Sequence, residues 1–297
     1  MNIRIAKLED VKGIVEVHCS DIERWIKKDD NREATYEELS IKDRYLHGGP
    51  WMSIETCAVH LNNLLLEGQI PIVVETNGKI IGNAEVLISE ELINGKMYRI
   101  AHLDILEVHK DFRRKGIGRE IVNFVEDLAK EKGCDLLTVV PEKSAIGFYA
   151  KLGIDNVIYQ GYFAEFETSL FSDVNASINL CEFSWEDIKD REMVSGKFQS
   201  SYHHWFEAFR NRIAGIDDAR YFESGKLRNS YYILEEAVYN NKIVTAYMWG
   251  REEDFPLLLN RAKNLGFTKL RTIVEENLIK EFNPKILDKM IILSKHL

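Results

Sequence analysis

The chain has 297 residues, 45% hydrophobic and 29% charged, with 39 Lys and Arg against 48 Asp and Glu for a net charge of −9. This length buries one large or two modest domains, and the composition, with only five prolines, is that of a globular chain without long disordered linkers. An acidic balance excludes nucleic acid as the main partner, because neutralising phosphates takes a basic face, and it favours cationic amines.

The first residues lack the apolar core of a signal segment, and no later run is long enough to cross a bilayer, so the expected location is cytoplasmic with no membrane partner. Cys19, Cys57, Cys134 and Cys181 are scattered without metal-ligand spacing, which predicts reduced buried thiols and no bound metal. Asn175-Ala176-Ser177 matches a glycosylation acceptor, which in this compartment is a chance match.

In chain order, periodicity predicts a strand over 3–6, helices over about 10–27 and 53–67, and strands over 70–76 and 79–88 joined by the hairpin signal Asn77-Gly78. Within His47-Gly48-Gly49-Pro50-Trp51-Met52-Ser53-Ile54-Glu55, Ser53 is a helix cap. Trp51 and Glu55 are candidates to present an aromatic wall and a carboxylate to an ammonium group; the alternative is a capped helix with Trp51 in the core. A strand over 96–108 then runs into Arg113, Arg114, Lys115, Gly116, Ile117, Gly118 and Arg119, where glycines let successive amides face an anion at a helix start. Ile121, Phe124, Val125 and Leu128 follow at helical spacing, Gly133 stops that helix, and 136–140 is β-rich. A short helix carries Phe148 and Tyr149 and ends at Gly153, strands over 156–167 close the unit, and the polar stretch 172–176 is a boundary between domains 1–170 and 177–297.

The second half hides a repeat. Ala129-Lys130-Glu131-Lys132-Gly133-Cys134 matches Ala262-Lys263-Asn264-Leu265-Gly266-Phe267 at an offset of 262 − 129 = 133, and a hairpin over 231–249 around Asn240-Asn241 precedes it. At that offset Gly116 and Gly118 fall on Trp249 and Arg251, followed by Glu252, Glu253 and Asp254, which would repel a diphosphate. Tyr202-His203-His204-Trp205 sits in a predicted helix whose adjacent histidines point about 100° apart, so they do not share a metal.

Arg-x-x-Gly-x-Gly followed about thirty residues later by Ala-x-x-Phe-Tyr-x-Lys-x-Gly resembles the GNAT superfamily of acyl-CoA N-acyltransferases. The resemblance implies an α/β (α+β) fold with a mixed central sheet flanked by helices, here as two tandem lobes of which the second is degenerate. It implies acetyl-CoA as cosubstrate, no metal, and an amine acceptor, either a small molecule or a protein amino group. The amides of 114–119 would hold the pyrophosphate, and Leu106, Glu107 and Val108 would pair with the pantetheine arm along a strand that splays from its neighbour. Tyr149 matches the family's general acid, and Glu142 stands where the family often has Asn. The run His102-Leu103-Asp104-Ile105-Leu106-Glu107-Val108-His109 looks like the arylalkylamine branch, making His102 and Asp104 candidate bases on one strand face; a buried, satisfied His102 is the other reading. Alternative functions are a non-catalytic acyl-CoA-binding regulatory module and a thiol-biosynthetic acyltransferase, since mycothiol synthesis enzymes resemble this two-lobed arrangement.

Overall fold

The computed structural model describes residues 1–28, 30–170, 178–212, 221–237 and 240–297. The first half runs β1 (Asn2–Ile5), α1 (Val11–Cys19), β2 (Trp25–Lys27), β3 (Arg32–Ala34), α2 (Ile41–Tyr45), α3 (Ile54–Leu66), β4 (Ile70–Thr76), β5 (Lys79–Ile93), β6 (Lys96–Val108), α4 (Ile117–Glu131), β7 (Leu136–Val139), α5 (Ile146–Ala150) and β8 (Asn156–Glu167). The second runs β9 (Ile178–Leu180), β10 (Met193–Ser195), α6 (Ser201–Phe209), β11 (Phe222–Leu227), β12 (Ser230–Ala237), β13 (Asn240–Trp249), α7 (Phe255–Asn264), β14 (Lys269–Val274), α8 (Glu276–Phe282) and β15 (Lys285–His296).

Local chemistry accounts for the elements that shape the site. Asn77 and Gly78 both adopt positive φ, the conformation a two-residue hairpin turn needs, and join β4 to β5. Ser53 caps α3 by accepting from the Thr56 amide at 3.2 Å. On α4, Ile117, Ile121, Val122, Val125 and Ala129 are buried against the sheet while charged residues face out. Each large aliphatic side chain buried this way contributes roughly 1.5–3 kcal/mol. The helix predicted over 10–27 stops at Cys19, because Trp25–Lys27 pairs with Arg32–Ala34 and Trp25 packs edge-on against Tyr36 and His47. Asn240 belongs to β13, paired with Ala237, rather than to a turn centred on Asn240-Asn241. The predicted boundary 172–176 and the glycosylation match lie outside the described residues.

Among the described residues one 13-stranded sheet carries both lobes; twelve strands run in the order β1-β4-β5-β6-β7-β15-β8-β14-β13-β12-β11-β9, and β10 joins off that path by pairing with β13. The series β4-β5-β6-α4-β7 recurs as β11-β12-β13-α7-β14, two antiparallel pairings followed by a helical crossover to a parallel neighbour. The final strands are exchanged. β15 pairs with β7, β8 pairs with β14, and the two pair with each other, so β8 does not close the first lobe directly as its sequence position predicts. Either strand satisfies the same antiparallel edge, and the exchange covers two edges with one continuous ladder.

The lobes differ where their parallel strands part. β6 and β7 are paired only as far as Leu103↔Val139, and β13 and β14 only as far as Thr245↔Arg271. In the second lobe β10 fills the gap: it pairs with Met248 and Trp249 of β13, and Gly196 donates its amide to Ile273 O on β14 at 2.8 Å. Gly196 has φ +90°, and a Cβ there would stand 2.8 Å from Ala246 O. Gly196→Ala should therefore destabilise the fold by about 1–3 kcal/mol, from the positive φ and the backbone contact together. Thermal unfolding of the variant checks this, and an unchanged Tm would show that the plug is loosely held.

Candidate active site

The parting of β6 and β7 in the first lobe opens a cleft of about 1730 Å³. Its cause is a bulge: Leu103 pairs with Val86 and Ile105 with Glu85, leaving Asp104 as an extra residue on β6. A bulge bends its strand, and here it turns residues 104–108 away from β7. These residues form one wall, the loop 112–119 and the start of α4 one end, residues 139–149 the other wall, and Asp288–Ile291 of β15 a rim.

The loop end is built for an anion. Arg114 (φ +61°) and Gly116 (φ +87°) are left-handed, and Gly116 occupies the N-cap of α4 without a side-chain cap. The first amides of a 15-residue helix are thus left to face the cleft with the positive end of its dipole. A Cβ on Gly118 would lie 3.5 Å from the Phe148 ring and 3.7 Å from Leu106, so the glycine keeps the passage between the two walls open. Arg114 and Arg119 also line the cleft. Arg113 lines the cleft as well, but its guanidinium is already engaged. Its guanidinium reaches Glu107, Asp21 and Val108 O, while the Glu107 carboxylate accepts from the Val108 amide at 3.0 Å, so the Val108 peptide is held from both sides. The Lys115 ammonium donates to Asp111 O at 2.9 Å and lies over Phe112.

Tyr149 stands on the floor between the walls, edge-on to Phe148 with ring centroids 5.0 Å apart. Burial, with a smaller push from the Glu142 carboxylate, raises its phenol to about 12, so it keeps its proton through the neutral range. Glu142 is exposed at the cleft edge, with Ser144 Oγ donating to it at 3.4 Å.

The acceptor side departs from the sequence reading. His102 is 0% exposed, with Nδ1 2.9 Å from Thr138 Oγ1 and Nε2 2.9 Å from Gln199 Oε1, and burial lowers its proton affinity. Asp104 lines the cleft, but its side chain is only 6% exposed and Oδ1 stands 2.9 Å from His203 Nδ1 of α6, a charge contact without hydrogen-bond alignment. Burial opposes the Asp104 charge, yet His203 outweighs it and holds the carboxyl below its ordinary range; His203 is raised in turn against the same burial. Trp51 does line the cleft: its indole donates to Glu85 Oε1 at 2.7 Å and stacks on His18. Glu55 does not. It is exposed on the first turn of α3, 4.0 Å from Arg44.

Three cleft residues had no signal in the sequence: His18 at the end of α1, and Phe198 and Gln199 from the second lobe. The sequence singled out His203 without a partner, because Asp104 lies about a hundred residues away. Its neighbour His204 accepts from the Phe198 and Gln199 amides at 3.1 and 3.2 Å, shaping the segment that enters the cleft. No group of His, Cys, Asp and Glu set to hold a metal occurs among the described residues.

A parted parallel pair ending on an uncapped helix start, with a buried phenol below, is the architecture of the GNAT acyltransferases. Residues 29–154, within the first lobe, match the acetyltransferase (GNAT) family model. Among curated proteins it is similar to the glucosamine 6-phosphate N-acetyltransferase of Arabidopsis thaliana, 29% identical over 82 residues, 28% of this chain and 54% of that protein. The chain spans about half the length of the curated relatives it matches. Among solved structures it resembles a GCN5-related N-acetyltransferase from Kribbella flavida, TM-score 0.64 at 10% identity, over 99% of this chain and 71% of that one. It also resembles a tandem GNAT protein from the clavulanic acid biosynthesis pathway, TM-score 0.53 at 14% identity, over 99% and 98% of the two chains. These likenesses extend the shared fold over both lobes.

Beneath the acceptor side lies a buried ion pair, His60 Nε2 2.9 Å from Glu85 Oε2. Burial alone would lower the imidazole, but the Glu85 charge prevails and raises it to about 9, above its ordinary 6.5. A raised folded-state value gives stability that is complete below about pH 6.5 and lost as pH rises through about 9. Chemical unfolding across this window should show a decline on the order of 3 kcal/mol from this pair. His60→Gln should flatten that decline, and a slope equal to wild type would place the titrating group elsewhere.

Proposed function

We propose that this chain is an acetyl-CoA-dependent N-acetyltransferase that moves an acetyl group to a primary amine by direct attack. The observation that carries the reading is the bulge-driven parting of β6 from β7, which leads from an uncapped helix start to a buried phenol. The amides of 114–119, with the side chains of Arg114 and Arg119, hold the diphosphate; Lys115 instead ties down Asp111 O, and Arg113 braces the end of β6 against Asp21, just beyond α1. Leu106, Glu107 and Val108 flank the pantetheine arm on the unpaired side of β6, and Glu142 borders it opposite. Backbone amides freed by the parting polarise the acetyl carbonyl. Tyr149 holds the proton that the departing thiolate takes.

On the acceptor side, the Asp104 carboxylate attracts the ammonium form of the amine, and His102 acts from behind as a fixed, neutral support joining β6 to Gln199. The side chains there, Ile22, Trp51, Met52 and Phe198 with Asp21 and Gln199, include no Lys or Arg. Glucosamine 6-phosphate, the substrate that the relatives' names carry, would bring a phosphate to a surface whose neighbouring cation, Arg113, is already paired with Asp21 and Glu107. An amine with an apolar body fits these residues better.

Thiol release from acetyl-CoA across an amine library tests this reading. Apolar primary amines should outrank glucosamine 6-phosphate, and Tyr149→Phe should lower turnover by about 10²- to 10⁴-fold with acetyl-CoA affinity unchanged. Acetyl-CoA binding with no release from any amine would instead make the chain a binding module. Full turnover in Tyr149→Phe would give the proton to water or another group.

A further inference from the structure

We propose that His18 is the proton acceptor of this site, taking the ammonium proton of the incoming amine at Nδ1; the proposal rests on the N-acetyltransferase reading above. His18 ends α1 and lines the same cleft as Asp104, Leu106 and Glu107 of the parted strand. Its ring lies flat on Trp51, centroids 5.2 Å apart and planes 13° apart, which fixes its orientation. Nε2 stands 2.9 Å from Asn83 Oδ1.

The surroundings of Asn83 decide the tautomer. Asn83 is wholly buried, and its Nδ2 donates to Ile72 O at 3.0 Å, so its oxygen faces the imidazole and can only accept. His18 therefore carries hydrogen on Nε2 and a lone pair on Nδ1, and the ring's hydrogen bond among the described residues is the one at Nε2. The charged groups around it are Glu85 on β5 and Glu107 on β6, which favour its protonation, and His60 on α3, which opposes it; Asp21 and Arg113 at the cleft edge are paired with each other. Burial outweighs the carboxylates and keeps the ring neutral below the ordinary imidazole range.

The other candidates are spent. His102 is sealed with both nitrogens engaged, His47 uses Nε2 on the Ile26 backbone, Asp104 faces His203, and Glu107 and Asp21 both face Arg113. In the step itself, an N–H bond of the ammonium breaks and its proton passes to His18 Nδ1. The freed nitrogen pair forms the C–N bond, the C–S bond breaks, and the sulfur takes the proton held by Tyr149. The second amine proton, acidified once the C–N bond forms, returns to Tyr149 through solvent. His18 then releases its own proton, so amide, thiol and one net proton leave.

The test is the pH profile of kcat/KM for the full chain with its best amine. His18→Gln should lower kcat/KM by about 10²- to 10⁴-fold and abolish the acidic limb while acetyl-CoA affinity holds. Asn83→Asp, which sets a carboxylate against Nε2, should move that limb to higher pH; a purely structural His18 would not respond in this way. Imidazole nitrogen NMR of the protein alone should find the Nε2–H tautomer. A limb unmoved in both variants, or an Nδ1–H tautomer, would overturn the proposal while leaving an active acetyltransferase. A wild type that releases no thiol with any amine would refute the underlying reading and the proposal together.

Discussion

Two parallel strands that separate leave backbone donors and acceptors that something must satisfy, and both lobes contain such a parting. The two lobes answer it differently. In the first lobe the gap stays open, and its amides and the α4 N-terminus face a cleft. In the second, β10 lies in the gap and Gly196 bonds across to β14, so the chain itself takes the place an extended ligand arm would occupy. The start of α7 reinforces the difference. A proline removes one of its early amides, and Asp254 is buried there, accepting from Ser230 at 2.7 Å. One fold unit used twice thus yields one open site and one self-filled copy.

The self-filled lobe still serves the open one. The segment that leaves β10 carries Phe198 and Gln199 into the first lobe's cleft, and α6 behind it sets His203 against Asp104. Asn211 Nδ2, just beyond α6, stands 2.7 Å from His60 and also donates to Glu207 at 2.9 Å, so polar contacts run from the second lobe to the His60–Glu85 pair. Burying such groups is costly unless they are mutually satisfied, and breaking one partner leaves another stranded. The exchange of β8 and β15 holds the two halves in the register these contacts need.

Much of this was legible in the sequence where the signal is local. The Asn77-Gly78 hairpin, the Ser53 cap, the strand 96–108 and the glycine-marked start of α4 depend on residues within a few positions of one another. The repeat at a constant offset also survived, because α7 ends and β14 starts at the same offset from the end of α4 and the start of β7, 264 − 131 = 133 and 269 − 136 = 133. Long-range facts were not legible. Which final strand pairs with β7 is a choice between two compatible edges, and periodicity cannot distinguish them. The pairing of Asp104 with His203 and the sealing of His102 depend on where α6 and the segment before it pack, and Glu55 falls on the exposed side of α3 beside Arg44. The sequence also placed Arg113 at the cradle, since its type and spacing suit phosphate; it does line the cleft, but its guanidinium is paired with Glu107 and Asp21, which the sequence pattern did not show.

The central claim is that one parting is open to acyl-CoA and the other is filled by the chain. Calorimetric titration of acetyl-CoA measures this directly. The account requires one site per chain, abolished by Gly118→Glu, whose carboxylate would enter the passage beside Phe148 and Leu106, and retained by Glu252→Gln at the second helix start. Two equivalent sites per chain, or binding that survives Gly118→Glu, would contradict it.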